Sequence, residues 1–275
     1  MISRDNDIEK FCGLVDALRP WLGRIVFVGG WAHRLYRERP ESAQLPYAPL
    51  RTTDADVVLD PRTIGRSENV RVRLIAHGFT EELSGDDRPP VAHYVLGAAD
   101  AGFYAEFLTP LPGSERRRDG TPDVTVRVGG VVAQKLRDLD VLLIAPWNVP
   151  VGEANGFPLQ EAAIVQIPNP VSFIVQKLLI HARRKREERA KDVLYIHDTI
   201  ELFGGALADL HEVWGASVAP ALHRSARERA TKRVGGLFHS INDTIREASM
   251  IAAHREVTPG MIQELCEAGL AELLG

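Results

Sequence analysis

The chain has 275 residues, 45% of them hydrophobic and 25% charged, the profile of a folded protein of one large or two modest domains, which excludes a disordered chain. Its longest apolar stretches, at residues 141–145 and 171–180, are too short or too interrupted to span a bilayer, and residues 1–7 carry no apolar signal core. A net charge of -4 excludes a general nucleic-acid coat but leaves room for local basic sites at residues 116–118 and 183–191.

In chain order, residues 8–18 set Phe11, Val15 and Leu18 at the spacing of a short amphipathic helix. Residues 24–28 read as a buried strand stopped by Gly29-Gly30, and residues 31–37 as a helix. After a proline-flanked loop at 47–50, residues 56–59 form a second strand. A helix over 70–77 ends at Gly78, and strands are expected over 93–96, 103–108 and 124–128. Residues 131–135 and 141–144 fit more than one element. The pattern changes at Ile167-Pro168-Asn169-Pro170. Residues 171–203, free of Gly and Pro, make one long helix or two abutting ones, and helical patterns continue over 218–233, 241–254 and 261–274. The fold class is thus mixed α/β (α+β), with a catalytic domain over 1–165 and a helical domain over 166–275 that completes the site.

The strongest chemical signal is Thr52-Thr53-Asp54-Ala55-Asp56-Val57-Val58-Leu59. Side chains of a strand alternate, so Asp54 and Asp56 point to one side of the sheet. Like charges that close call for a cation, and magnesium suits carboxylate oxygens combined with substrate phosphates. Upstream, Phe27-Val28-Gly29-Gly30-Trp31-Ala32-His33-Arg34-Leu35-Tyr36 is strand, glycine turn, helix, where close backbone approach and free amides suit phosphate oxygens. Glu106, an acid among apolar residues in a strand, either completes the metal site, serves as general base, or faces outward. Asp60, Asp86 and Asp87 compete with it more weakly. Lys177 interrupts the apolar run of residues 172–180. On a continuous helix Lys177 and Asp192 stand roughly 22 Å apart, too far for a direct pair, and share a site only if the chain bends near Arg186. The histidines show no zinc-like spacing, and Cys12 and Cys266 form neither a disulfide framework nor a metal motif, which suits a reducing cytoplasm.

These two motifs together resemble nucleotidyltransferase-fold enzymes, which carry a hydrophobic-Gly-Gly/Ser turn followed by an Asp-hydrophobic-Asp/Glu strand. The branch of AbiEii-type and MenT-type toxins is most similar, with Gly-Gly-Thr-Ala-Leu-Arg-Leu-Tyr and a later Arg-x-Ser-x-Asp-x-Asp. Here the residues read Gly29-Gly30-Trp31-Ala32-His33-Arg34-Leu35-Tyr36 and Arg51-Thr52-Thr53-Asp54-Ala55-Asp56. The resemblance implies that Asp54, Asp56 and Glu106 hold Mg2+, and that Gly29, Gly30, Arg34, Thr53, Lys177 and Asp192 contact the nucleotide. The implied reaction moves a nucleoside monophosphate from a nucleoside triphosphate to an acceptor hydroxyl, with transfer RNA as acceptor and an antitoxin protein as partner. A protein side chain, or a small molecule such as an antibiotic, competes as acceptor. Trp31 stands where the branch has a small hydroxyl residue; its bulk is expected to reshape the phosphate pocket, and an inactive binding module is the rival of another class.

Overall fold

The apolar spacing of the N-terminal segment is realised as α1 (Arg4–Leu18), and its buried Phe11, Leu14, Val15 and Leu18 seed the first core. The computed structural model describes residues 4–65, 69–87, 89–97 and 103–275, so Met1 to Ser3 of the segment read for a signal lie outside them. Next come β1 (Ile25–Val28), α2 (Gly29–Leu35), β2 (Asp54–Leu59), α3 (Val70–Ala76), β3 (Thr80–Ser84), β4 (Val91–Leu96), β5 (Phe103–Pro110), β6 (Thr125–Val128) and β7 (Val131–Leu136). The seven strands form one mixed sheet in the order β1-β2-β5-β4-β3, with β7 also on β5 and β6 on β7. β2 runs parallel to β5; β1 and β4 run antiparallel to their neighbours. A separate antiparallel pair, β8 (Trp147–Val151) and β9 (Ala163–Ile167), completes the strands.

Two of these strands carry little sequence signal. β3 is an edge strand with mostly exposed side chains, so its sequence, TEELS, lacks apolar alternation. Pro150 interrupts β8, as an edge position tolerates. Residues 141–144, which fit more than one element by sequence, fall largely in a single 3-10 turn, Asp140–Leu143.

The helices that follow are α4 (Pro170–Ile180), α5 (Arg186–Leu202), α6 (Leu207–Val213), the single turn α7 (Ala219–Ala221), α8 (Arg224–Phe238), α9 (Asp243–Ile251) and α10 (Pro259–Leu274). Asn169 starts α4: its side chain accepts from the Ser172 amide at 2.9 Å and donates to the Ile144 carbonyl at 2.8 Å, with Pro170 at the first helical position. Of the two readings of residues 171–203, the structure takes the two abutting helices, although no Gly or Pro separates them. Four consecutive cations, Arg183 to Arg186, repel one another on a continuous helix. The Arg189 side chain then satisfies the carbonyls of Arg184 at 2.9 Å and Ala182 at 3.1 Å, and the Glu188 carboxylate accepts from the Lys185 amide at 3.2 Å to start α5. Side chains, rather than a breaker residue, make this bend.

The chain sorts into two units. One holds the described residues of Met1–Glu38, Leu50–Asp140 and Pro146–Ile167, thus both β-sheets. The other holds Arg39–Pro49, Val141–Ala145 and Pro168–Gly275, thus the helices from α4 onward. Among the described residues no helix is long and apolar enough to cross a membrane.

Candidate active site

β2 alternates as its sequence demands. Ala55 and Val57 are fully buried, while Asp54 and Asp56 are only partly covered. β5 repeats the pattern: Phe103, Ala105 and Phe107 go inside, and Tyr104 and Glu106 take the other face. The parallel register sets Asp54 beside Tyr104 and Asp56 beside Glu106, and the antiparallel register of β4 sets His93 beside Glu106. Asp56, Glu106 and His93 therefore form a row across three adjacent strands, with Asp54 one step along. Of the readings open for Glu106, the register favours the one that shares a face with the two aspartates. Asp60 is elsewhere, paired with Arg62 at 2.7 Å in the turn after β2, and Asp86 and Asp87 lie in the turn after β3.

The glycine turn meets this row edge-on. Gly29 has φ +62°, and a Cβ built there would stand 2.3 Å from Oδ2 of Asp56. A Cβ on Gly30 would stand 2.7 Å from the Thr52 side chain. Both positions are glycine because the backbone passes against the acid row, and Gly29 adds a left-handed conformation that L residues adopt at a cost. Thr52, buried, donates its hydroxyl to Oδ1 of Asp54 at 2.5 Å and fixes that carboxylate. Thr53 is exposed, and its carbonyl accepts from the Tyr104 amide at 3.3 Å.

Electrostatics agree with the geometry. Burial raises the Glu106 pKa and the charge of Asp54 adds to it, while the neighbouring His93, 2.9 Å away, works in the opposite direction. The second Glu106 oxygen accepts from the Gln134 amide of β7 at 3.3 Å. Burial also pushes the Tyr104 phenol up to about 12, with Asp54, Glu106 and Asp56 contributing in that order. Tyr104 thus senses the summed negative potential of all three acids.

Trp31 corrects an expectation. Its indole is fully buried and stacks on Phe11, centroids 3.9 Å apart and planes within 7°, with Phe103 edge-on at 6.1 Å. The bulk goes into the core, away from the carboxylate face, and the Arg34 guanidinium lies over the ring at 5.0 Å.

Lys177 and Asp192 meet the condition set for sharing a site, a bend between them. The bend between α4 and α5 folds them together, and their charged atoms lie 2.7 Å apart with side chains 7% and 2% exposed. The ammonium also lies 5.3 Å from the rings of both Phe173 and Tyr195. Asp192 takes its second cation from Arg184 at 3.2 Å.

Among the described residues, one group of three ligand-type side chains has its atoms mutually within 4.8 Å: His197, Asp198 and Glu201 of α5. Each already has a partner within the fold. Arg255 lies 2.6 Å from Asp198, His197 contacts the same carboxylate at 3.0 Å, and the Tyr47 hydroxyl donates to Glu201. The sheet acids are spread more widely because Thr52 holds one end of the row and His93 with Gln134 the other.

Sequence reasoning missed Thr52, His93, Tyr104 and Gln134. Thr52 was findable, since a hydroxyl two residues before Asp54 in an extended chain shares its side. The other three enter through strand register, which no local pattern encodes.

A nucleotidyltransferase family matches residues 6–218 of the sequence. A search of curated proteins finds no significant match. Among solved structures, an antigenic nucleotidyltransferase-like protein from Paracoccidioides brasiliensis is similar at 18% identity and TM-score 0.35, over 86% of this chain and 98% of that one. The family match spans α1, the whole mixed sheet and the helices through α6. Carrying the glycine turn and the acid-bearing strands inside that match, the chain is a transferase that belongs to the nucleotidyltransferase family.

Proposed function

We propose that the protein is a magnesium-dependent enzyme that moves a nucleoside monophosphate from a nucleoside triphosphate to an acceptor hydroxyl, with transfer RNA as the acceptor. The observation that carries this reading is the placement of Asp54, Asp56 and Glu106 on one partly open face, with the Gly29 backbone against Asp56. The donor set fits a hard divalent cation: the ligands are carboxylate oxygens, and the glycine leaves a cradle that any Cβ would fill. Asp54 and Asp56 would hold the ion, with Glu106 beside them on the same face. When bound, the cation supplies charge neutralisation for the triphosphate.

The chain's own residues do the rest. The glycine turn leaves room for phosphate oxygens beside Asp56. Thr52 keeps Asp54 from rotating away. Glu106, raised in pKa by burial, is suited to take the proton of an acceptor hydroxyl. As the new phosphorus–oxygen bond forms, the bond between the α and β phosphates breaks and pyrophosphate departs. Positioning and charge carry most of such catalysis.

The AbiEii-like and MenT-like motif spacing supports a toxin-type role in the cytoplasm with an antitoxin partner. Cys12 and Cys266 are both buried free thiols, as suits a reducing compartment. The test is incubation with each labelled nucleoside triphosphate, total cell RNA and Mg2+. Label should enter the transfer RNA fraction and depend on both Asp54 and Asp56; labelled protein or free small product instead would replace the acceptor.

A further inference from the structure

In a chain of net charge -4, α8 carries Arg224, Arg227, Arg229, Lys232 and Arg233 against one acid, Glu228. Arg229, Lys232 and Arg233 fall at helical spacing on one side, where α8 packs against α4. Between these helices lies a cavity of 410 Å³ whose rim is Arg229, Lys232, Arg233 and Arg183, and whose floor is Leu178 and Leu179. A second hollow, of 600 Å³, borders the first through Lys232 and adds Arg224 and Arg227. Arg224 is held by Glu228 at 2.7 Å, so the track proper runs from Arg227 to Arg233, roughly 9 Å along the helix. One phosphate cannot occupy such a length; a chain of phosphates can.

Two further observations point to the same place. Gly236 borders the cavity and Gly235 precedes it, both inside α8, where glycine costs stability. A Cβ on either would meet nothing within 4 Å, so internal packing does not require them. Bare backbone at the mouth of a groove suits the close approach of a partner. The potential there is positive as well: burial lowers the pKa of His181, and Arg233 and Arg189 lower it further.

Of the basic run at residues 183–191, Arg183 lies on this rim, while its neighbours are turned to the fold. Arg184 is spent on Asp192 and Glu188, Arg186 on Glu247, and Arg189 on backbone carbonyls.

We infer that the groove between α4 and α8 binds the sugar–phosphate backbone of a nucleic-acid acceptor, with arginines and Lys232 on the phosphates and the leucine floor under sugar or base. This deepens, and rests on, the reading of the protein as a nucleotidyltransferase acting on RNA. A backbone that releases counterions to several cations binds with a steep salt dependence.

The experiment measures fluorescence anisotropy of a labelled RNA hairpin, and of DNA of the same sequence, against sodium chloride concentration, using the full chain. The variant Arg229→Ser/Lys232→Ser/Arg233→Ser should lose at least about tenfold in RNA affinity and flatten the salt slope by roughly two to three. Arg116→Ser/Arg117→Ser/Arg118→Ser removes equal charge elsewhere and should change little. Gly236→Glu should weaken RNA binding while the helix melts no lower, since Glu is a better helix former than Gly. Equal loss in both triple variants, an unchanged salt slope, or binding of an acidic peptide in place of both nucleic acids would overturn the inference. Equal binding of RNA and DNA keeps the backbone contact and moves the choice of acceptor elsewhere. Magnesium-dependent binding of each of the four nucleoside triphosphates, read by calorimetry on the same samples, separates the two readings. Its absence in wild type alongside groove-dependent RNA binding sinks only the transferase reading; its presence with groove-independent RNA binding sinks only the groove.

Discussion

Two sets of carboxylates in this protein solve the same electrostatic problem in opposite ways. In the helical unit, Asp192 and Asp198 are 2% and 0% exposed, and each meets a fixed cation: Lys177 and Arg184 for one, Arg255 for the other. On the sheet, Asp54 leans on a neutral hydroxyl and Glu106 on an imidazole and an amide. The permanent charges of the helical unit settle that account within the fold. The sheet spends its partners on holding direction, so the negative potential survives at the surface, as the raised phenol of Tyr104 records. Burial with a matched cation marks a structural acid. Burial without a permanent cation and with an open face marks one prepared for a ligand.

The sharpest way to break this comparison is to remove a cation from the helical set. Arg255→Met strands Asp198, whose partner guanidinium is 1% exposed, and should cost about 3–5 kcal/mol of stability. A denaturant titration giving less than about 1 kcal/mol would mean His197 alone satisfies Asp198. The sheet set should behave in reverse. Asp54→Asn/Asp56→Asn should leave the melting temperature unchanged or higher, because it relieves repulsion. It should also remove magnesium-dependent nucleotide binding and cut transfer by at least about 100-fold. Equal calorimetric affinities of wild type and variant would take these acids out of the nucleotide site.

Lys177 tests the boundary between the sets. Its family resemblance implies a phosphate contact, whereas its ion pair and two flanking rings imply a structural cation. Since Arg184 still covers Asp192, Lys177→Met should cost less than loss of Arg255, about 1–3 kcal/mol. Nucleotide affinity of the folded variant should be retained. Lost affinity with undiminished stability would return Lys177 to the triphosphate.

How much of this was legible in the sequence follows from what each feature depends on. The Gly29-Gly30 turn and the Asp54-Ala55-Asp56 strand are local, so period and turn chemistry suffice to place them. The pairing of Asp56 with Glu106 depends on a parallel crossover, and the contact of His93 with Glu106 on an antiparallel one. Neither is written in any single segment. Trp31 misled because volume is visible in sequence and direction is not: on α2 its side chain points at Phe11. The Lys177–Asp192 pair hung on a bend that the sequence could only pose as a condition, because no breaker residue marks it and Arg189 and Glu188 make it by acting on the backbone. Features set by one residue's own preference could be read; features set by a partner's reach could not.

The smallest expected effect is the most direct reading of the acid row. Tyr104 titrates at about 12 in the fold against an ordinary 10.0, first through burial and then through Asp54, Glu106 and Asp56. A raised folded pKa means that its contribution to stability is complete below the unfolded value of 10.0 and is lost as pH climbs towards about 12. Asp54→Asn/Asp56→Asn removes two of the three charges and leaves the burial. The phenol should therefore move down by part of its shift, not all of it. Phenolate absorbance, taken as the difference between each protein and its Tyr104→Phe counterpart, isolates this group from the other tyrosines. A wild-type phenol indifferent to the substitutions would mean that burial alone raises Tyr104 and that the acids do not act as one site.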